Sequence, residues 1–232
     1  GQSAILDYQA GNIDYVKLTS EVIDDYAGKE DVVTSLTGYS WYLSLNFHNE
    51  ALANNNIRKA IAYAINTDEL CTSVLKDGST PLEGIVTKST TANADGKDFR
   101  SISGTVVPGY DEAKAKEVFK AGWKELGVDS VTLEVLYEDA DVSKNCAAYV
   151  MNALEKAGFT TEAKCEPKKS RLQDMQNDNY DVALHRWGPD YADPMTYLDM
   201  WTTDSSNNYG FWSNPDYDAV IQSAKKGELA LD

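Results

Sequence analysis

Residues 131–187 read VTLEVLYEDADVSKNCAAYVMNALEKAGFTTEAKCEPKKSRLQDMQNDNYDVALHRW, and the fold is decided there. Val131, Leu133, Val135 and Tyr137 recur at every second residue, the period of a half-buried strand. Residues 143–157 follow at helical spacing, with Ala147, Val150, Met151 and Leu154 turned inward and Gly158 as the stop. Phe159 to Cys165 is a second strand, and Pro167 opens a helix running through Leu172 and Met175. Tyr180 to Trp187 is a third strand, nearly continuous in apolar residues. Crossovers of helix length between three strands predict parallel pairing with right-handed connections, a β-α-β-α-β core of the α/β class.

The third strand runs directly into Gly188-Pro189-Asp190-Tyr191-Ala192-Asp193-Pro194. Open parallel sheets bind ligands outside the carboxyl ends of their strands, so this loop is the candidate binding site. Asp190, between Trp187 and Tyr191, suits a charge-assisted bond to a ligand ammonium; a turn Asp held by backbone N–H groups is the competing reading. Asp193, before Pro194, reads first as the cap of the next short helix, expected over Met195 to Trp201. Trp187 walls a cleft or packs in the core, and the backbones of Arg186 and Gly188 can pair with an extended chain as with an added strand. His185 and Arg186 both suit a ligand carboxylate, but strand alternation sends them to opposite faces, so at most one of them meets it.

Working towards the amino terminus, Asp111 caps a helix with Ala115, Val118, Phe119, Gly122, Trp123 and Leu126 on its apolar side. Residues 79–109 are rich in Gly, Pro, Ser and Thr and read as one long irregular stretch. Asn54-Asn55-Asn56 signals a helix start, with Ile57, Ala60, Ile61, Ala64 and Ile65 as its stripe; Asn66 and Glu69 fit a capping box for the next helix. Ser40 to Asn46 alternates as a strand, Trp41, Leu43 and Leu45 against Tyr42 and Ser44. Shorter strands are expected at Ile13–Leu18 and Asp31–Ser35, a helix end at Ser3–Gln9, and a helix start at Ser20 near Glu21. Beyond the loop, a polar segment leads to a last helix at Pro215–Lys226.

The chain's 232 residues carry 37 acidic against 21 basic side chains, a net charge of −16. Such a balance disfavours nucleic acid and anionic lipid surfaces. No 18-residue apolar run is present, so no membrane insertion of this segment is expected. Fourteen Tyr and five Trp suit a surface that grips polar ligands, or an ordinary core edged with tyrosines. Cys71, Cys146 and Cys165 form no metal-binding spacing and read as buried free thiols, with a Cys146–Cys165 bridge as the alternative. With two histidines, no P-loop, no GxGxxG and no GxSxG, neither a metal nor a cofactor is expected, and no catalytic residue is assigned. Lys168-Lys169-Ser170-Arg171 reads as a solvated helix start.

Several segments resemble one family in order. Asn56-Ile57-Arg58-Lys59-Ala60-Ile61-Ala62-Tyr63-Ala64-Ile65-Asn66 resembles a helix of the family 5 extracellular solute-binding proteins, the oligopeptide- and dipeptide-binding proteins of ABC importers. Tyr110-Asp111-Glu112-Ala113-Lys114-Ala115 with Ala121-Gly122-Trp123, Tyr180 through Trp187-Gly188-Pro189-Asp190-Tyr191-Ala192-Asp193-Pro194, and Phe211 through Asp218 resemble further segments of it. The resemblance implies a periplasmic-binding-protein-like lobe of type II and the large, cluster C kind: a mixed sheet with the β-α-β-α-β core, flanked by helices. It implies that residues 1–37 are a strip of the N-terminal lobe and crossover, and 38–232 the C-terminal ligand-binding lobe, cut short at its end as in an excised fragment. It also implies that Asp190 takes a peptide's α-ammonium beside Trp187. Some members of the family carry a basic residue where Leu184 stands and an aromatic where Lys168 stands, which leaves the ligand's length and class open. The expected function is capture of peptides by a monomer, extracellular as a cell-surface lipoprotein or periplasmic, for the permease subunits of an ABC importer. The same fold binding a nickel chelate, haem, opine or oligosaccharide is the alternative, and a hydrolase using Asp190 and Asp193 the remote one.

Overall fold

The computed structural model describes residues 2–19, 22–88 and 90–229. In chain order the helices are α1 (Gln2–Gln9), α2 (Glu50–Ala53), α3 (Asn55–Ala64), α4 (Thr67–Glu69), α5 (Phe99–Ser103), α6 (Glu112–Leu126), α7 (Asp141–Ala157), α8 (Lys168–Gln176), α9 (Met195–Leu198) and α10 (Pro215–Lys225). The strands are β1 (Ser40–Leu45), β2 (Thr132–Glu138), β3 (Thr160–Glu166) and β4 (Val182–Trp187). They divide between two compact units, Gly1–Leu36 with Thr67–Pro81, and Thr37–Asn66 with Leu82–Asp232.

The larger unit holds the sheet, in the order β1-β4-β2-β3. β2 pairs in parallel with β3 and with β4, as the crossover helices α7 and α8 require, while β1 runs antiparallel to β4. Successive β2 side chains go to opposite faces. Leu133 and Val135 join Ile57, Ala60, Ala115, Val150 and Leu154 in the main core; Leu136 packs with Met175, Tyr180 and Ala183 on the other face. β3 lies at the sheet's edge and carries Glu162, Lys164 and Glu166, charges that discourage pairing with another chain. Cys165 lies exposed on this edge strand, whereas Cys71 and Cys146 are buried; all three thiols are free. The expectation of three buried thiols therefore fails at Cys165, because an edge strand has solvent on its outer face.

Polar residues fix the element ends. Asp181 accepts from the backbone N–H of Glu134 (2.8 Å) and from Asn49 Nδ2 (2.6 Å), tying the start of β4 to β2 and to the chain after β1. α3 and α6 approach closely because Gly122 is bare: a Cβ there would lie 2.9 Å from the Ile57 side chain. Asn54 caps α3, its Oδ1 accepting from Asn56 N (2.8 Å) and Ile57 N (3.2 Å), while its Nδ2 donates to Glu125 of α6 (2.9 Å). Asn54→Ala should therefore cost about 1–2 kcal/mol, read as a lower urea midpoint with an unchanged denaturant slope. The stretch 79–109 is irregular as expected, apart from α5 and one bridge, Ala92 to Asp98. Within it buried Arg100 donates to the carbonyls of Val86 and Gly104.

In the smaller unit Tyr8 donates to Asp31 (3.0 Å), Gln9 to the Tyr26 hydroxyl (2.9 Å), and Lys76 pairs with Asp24 (2.9 Å). α4 continues as a π-helical turn, Leu70–Leu75, closed by Lys76 in the left-handed region. The strands expected at Ile13–Leu18 and Asp31–Ser35 are not formed. Tyr15 and Val33 stand 84% and 86% exposed, and no partner strand pairs with either segment among the described residues. The helix start expected at Ser20 and Glu21 lies outside the described residues; a single 3-10 turn follows at Ile23–Tyr26.

Candidate functional site

β4 delivers its carboxyl end into the loop 188–194, and short-range bonds fix that loop's path. The Trp187 indole N–H donates to the Thr196 carbonyl (2.7 Å), and the Asp190 backbone N–H donates to the Thr196 hydroxyl (3.0 Å). Thr196 is itself buried in α9. Next to it, fully buried Tyr197 donates to the Gly38 carbonyl (2.6 Å) and lies 3.0 Å from the Thr87 hydroxyl. Asp193 Oδ1 accepts from Met195 N (2.8 Å), so this carboxylate caps α9, the structural role its place before Pro194 suggests.

Asp190 differs from Asp193. It is exposed, and no hydrogen bond or ion pair reaches its carboxylate among the described residues. Tyr191 beside it is 50% exposed. Burial, with Asp199, Asp193 and Asp190 nearby, raises the Tyr191 phenol above its ordinary range, so it stays protonated and can donate. Gly188 lets the Tyr39 ring lie against the backbone, since a Cβ at Gly188 would come within 2.6 Å of that ring. Tyr39, 52% exposed, and Trp41 flank the Arg186 guanidinium, whose carbon lies 5.5 and 5.1 Å from the two ring centroids. Neither aromatic was singled out for this site from sequence; the signal lay in strand pairing, because Ser40 faces Trp187 and Trp41 faces Arg186.

The backbone of β4 leaves one edge open here. The Asp181 carbonyl accepts from Asn46 N (2.9 Å), so odd-numbered residues of β4 direct their amides at β1 and even-numbered ones away from it. β2 supplies partners only at Val182 and Ala183. Past that point the Leu184 carbonyl takes Arg171 Nη1 (3.3 Å), and the Arg186 amide and carbonyl point to the side that β2 has left.

His185 points to the opposite face from Arg186, as alternation requires, and is 7% exposed. Its ring meets Tyr42 and Tyr209 edge-on at 5.6 Å each, and its Nδ1 lies 2.9 Å from Arg171 Nη1. Burial first, then the Arg171, Arg186 and Lys168 charges, push its pKa down to about 3. Arg171 is not part of a solvated helix start: Lys168 and Lys169 are exposed, but one turn on, Arg171 faces β4 and is 3% exposed. Two concavities of ≈ 390 and ≈ 460 Å3 open at the other end of β4, around His48, Asp178 and Tyr209. No cluster of metal-ligating side chains occurs among the described residues.

The profile of the bacterial extracellular solute-binding proteins, family 5, matches residues 1–209. The chain belongs to this family. It is 31% identical over 94% of its length to a dipeptide-binding protein of Lactococcus lactis subsp. cremoris, and 28% identical over 94% to the dipeptide-binding protein DppE of Bacillus subtilis. The chain spans 42% and 40% of those two relatives. Among solved structures it superposes on Listeria monocytogenes OppA bound to peptide with a TM-score of 0.88 and 33% identity, covering 98% of this chain and 46% of that one. The substrate-binding domain of a Bacillus anthracis oligopeptide ABC transporter gives 0.84 and 33%, over 97% and 45%. The mixed α/β sheet with helices on both faces is thus the fold of a solute-binding protein, as the sequence led one to expect. No helix among the described residues is long and apolar enough to cross a membrane.

Proposed function

We propose that this solute-binding protein captures short peptides outside the cell and hands them to the permease subunits of an ABC importer, without chemical change to the peptide. The observation that carries the reading is the exposed Asp190 carboxylate, unpaired at the strand exit, next to the open backbone edge at Arg186. Asp190 supplies the anion for a peptide's α-ammonium, and Arg186 and Gly188 offer backbone groups to an extended ligand. Trp187, Tyr191, Tyr39 and Trp41 supply aromatic walls. His185 supports the strand from beneath. Residues 38–232 act as the ligand-binding lobe and residues 1–37 as a strip of its companion lobe, in a monomer that is periplasmic or held at the cell surface as a lipoprotein. A carboxylate pair for hydrolysis is disfavoured, because Asp193 is spent on its helix cap.

Calorimetric titration of the full-length protein with di-, tri- and tetrapeptides tests the proposal. Dissociation constants at or below about 10 μM, lost when the peptide's amine is acetylated, are expected. Tight binding of a nickel chelate, haem, opine or oligosaccharide with no response to any peptide would sink it, as would release of cleaved peptide.

A further inference from the structure

The deepest charge beneath the site is Arg171 of α8, and its bonding is unusual. A guanidinium has five N–H donors and no acceptor. Here Nη1 reaches His185 Nδ1 at 2.9 Å, the Leu184 carbonyl at 3.3 Å and the Met175 sulfur at 3.3 Å. Nη2 lies 3.8 Å from Glu138, beyond hydrogen-bond range, and Nε is buried without a partner. Holding a cation there is costly, and the close contact is with an imidazole rather than a carboxylate. Since Arg171 can only donate, His185 Nδ1 must accept. The ring proton then sits on Nε2, and a second proton has no place at Nδ1.

We propose that Arg171 is a positioning residue for the peptide site: it locks His185 as the neutral Nε2–H tautomer and so holds the exit of β4, with Arg186, Trp187 and Asp190, in one geometry across the pH range in which the protein works. The groups facing His185 from each packed element agree with this. α8 presents Arg171, β1 presents Tyr42, and the loop before α10 presents Tyr209, while the Lys168 charge at the start of α8 and the Arg186 charge on the far face of β4 act on the ring from a distance. The carboxylate of Glu138 on β2 stands 3.8 Å from Arg171 Nη2. Tyr42 is further braced by Trp201 at 5.4 Å, so the ring stack continues from β4 to the segment after α9. The same guanidinium binds the Leu184 carbonyl, two residues before Arg186 on the same backbone edge. The last step, from strand geometry to peptide affinity, rests on the peptide-binding reading above.

The test is nitrogen NMR of the full-length protein labelled at histidine, with His185 assigned through His185→Gln. In the unsubstituted protein, a pyridine-type Nδ1 and a pyrrole-type Nε2 signal should persist from about pH 8 to pH 5. In Arg171→Met the ring should titrate within that range, the amide signals of Arg186 to Tyr191 should move, and peptide affinity should fall about tenfold and vary with pH. Arg171→Lys, which keeps the charge but not the fork, should recover only part of this. If Arg171→Met does not fold, the tautomer in the unsubstituted protein and the lysine variant still decide. A proton on Nδ1, a ring that titrates in the unsubstituted protein, or unmoved amides in Arg171→Met would overturn the proposal. Absence of peptide binding by a protein whose His185 behaves as expected would instead strike the peptide reading alone.

Discussion

Asp190→Ala is expected to weaken peptide binding by at least about tenfold, a loss of about 1.4 kcal/mol or more. The magnitude follows from the environment. A charge-assisted hydrogen bond contributes about 1.5–3 kcal/mol net when the alternative is a solvated pair of ions. Asp190 has no partner to give up in the free protein, because its carboxylate accepts no bond among the described residues. Its position is already set by the bond from its backbone N–H to Thr196, so little ordering entropy opposes the contact. The same facts predict that the substitution leaves the urea midpoint unchanged, which separates lost binding from lost folding. Calorimetry on both proteins with a free and an N-acetylated peptide closes a thermodynamic cycle. Acetylation should weaken binding to the unsubstituted protein and add little further loss in Asp190→Ala. Equal losses on acetylation in both proteins would place the ammonium elsewhere.

The core of the fold was legible because local signals agreed. Alternation in Thr132–Glu138, the stripe of α7 and the apolar run into β4 each point to one element type, and crossover length then leaves parallel pairing as the answer. Strand-like composition misled where no neighbour completes it. Ile13–Leu18 and Asp31–Ser35 have strand-like composition, but strand propensity expresses packing against partners more than a backbone preference. Cys165 shows the same limit. Its residue type predicts burial, yet its strand lies at the sheet edge, a fact of strand order that no window of sequence contains.

The site divides along a similar line. The exit loop and Asp190 could be proposed as the site from chain order alone, since strand ends in α/β sheets are where ligands sit, and Asp193 could be sorted out as a cap from the proline after it. Tyr39 could not, because it packs on Gly188 from 149 residues away, through the register of β1 on β4. Arg171 was read as solvated because a cluster of Lys and Arg at a helix start usually is. Its burial depends on which helix face meets β4, a tertiary fact.

Leu154→Ala should be the most destabilising single change considered for this chain, at about 2–5 kcal/mol. Leu154 of α7 is fully buried in the main core, which also holds Val150 and Ala157 of the helix and Leu133 and Val135 of β2. Its removal takes apolar contacts from the helix-to-sheet layer that sets the register of the whole core. Relaxation into the cavity is opposed from three sides. α7 is closed one turn later by Gly158 at φ 120°, and both Gly158 N and Phe159 N donate to the Leu154 carbonyl. Phe159 in turn packs on Phe119 of α6 with ring centroids 4.5 Å apart, so the helix end cannot slide inward without breaking that pair. A site that cannot collapse falls in the upper part of the range. In urea the midpoint should fall by about 1–2 M at an unchanged slope. The binding loop lies on separate elements, so peptide affinity measured well below the new midpoint should match that of the unsubstituted protein. A midpoint shift under about 0.3 M would mean that the α7 layer is far more plastic than its packing implies.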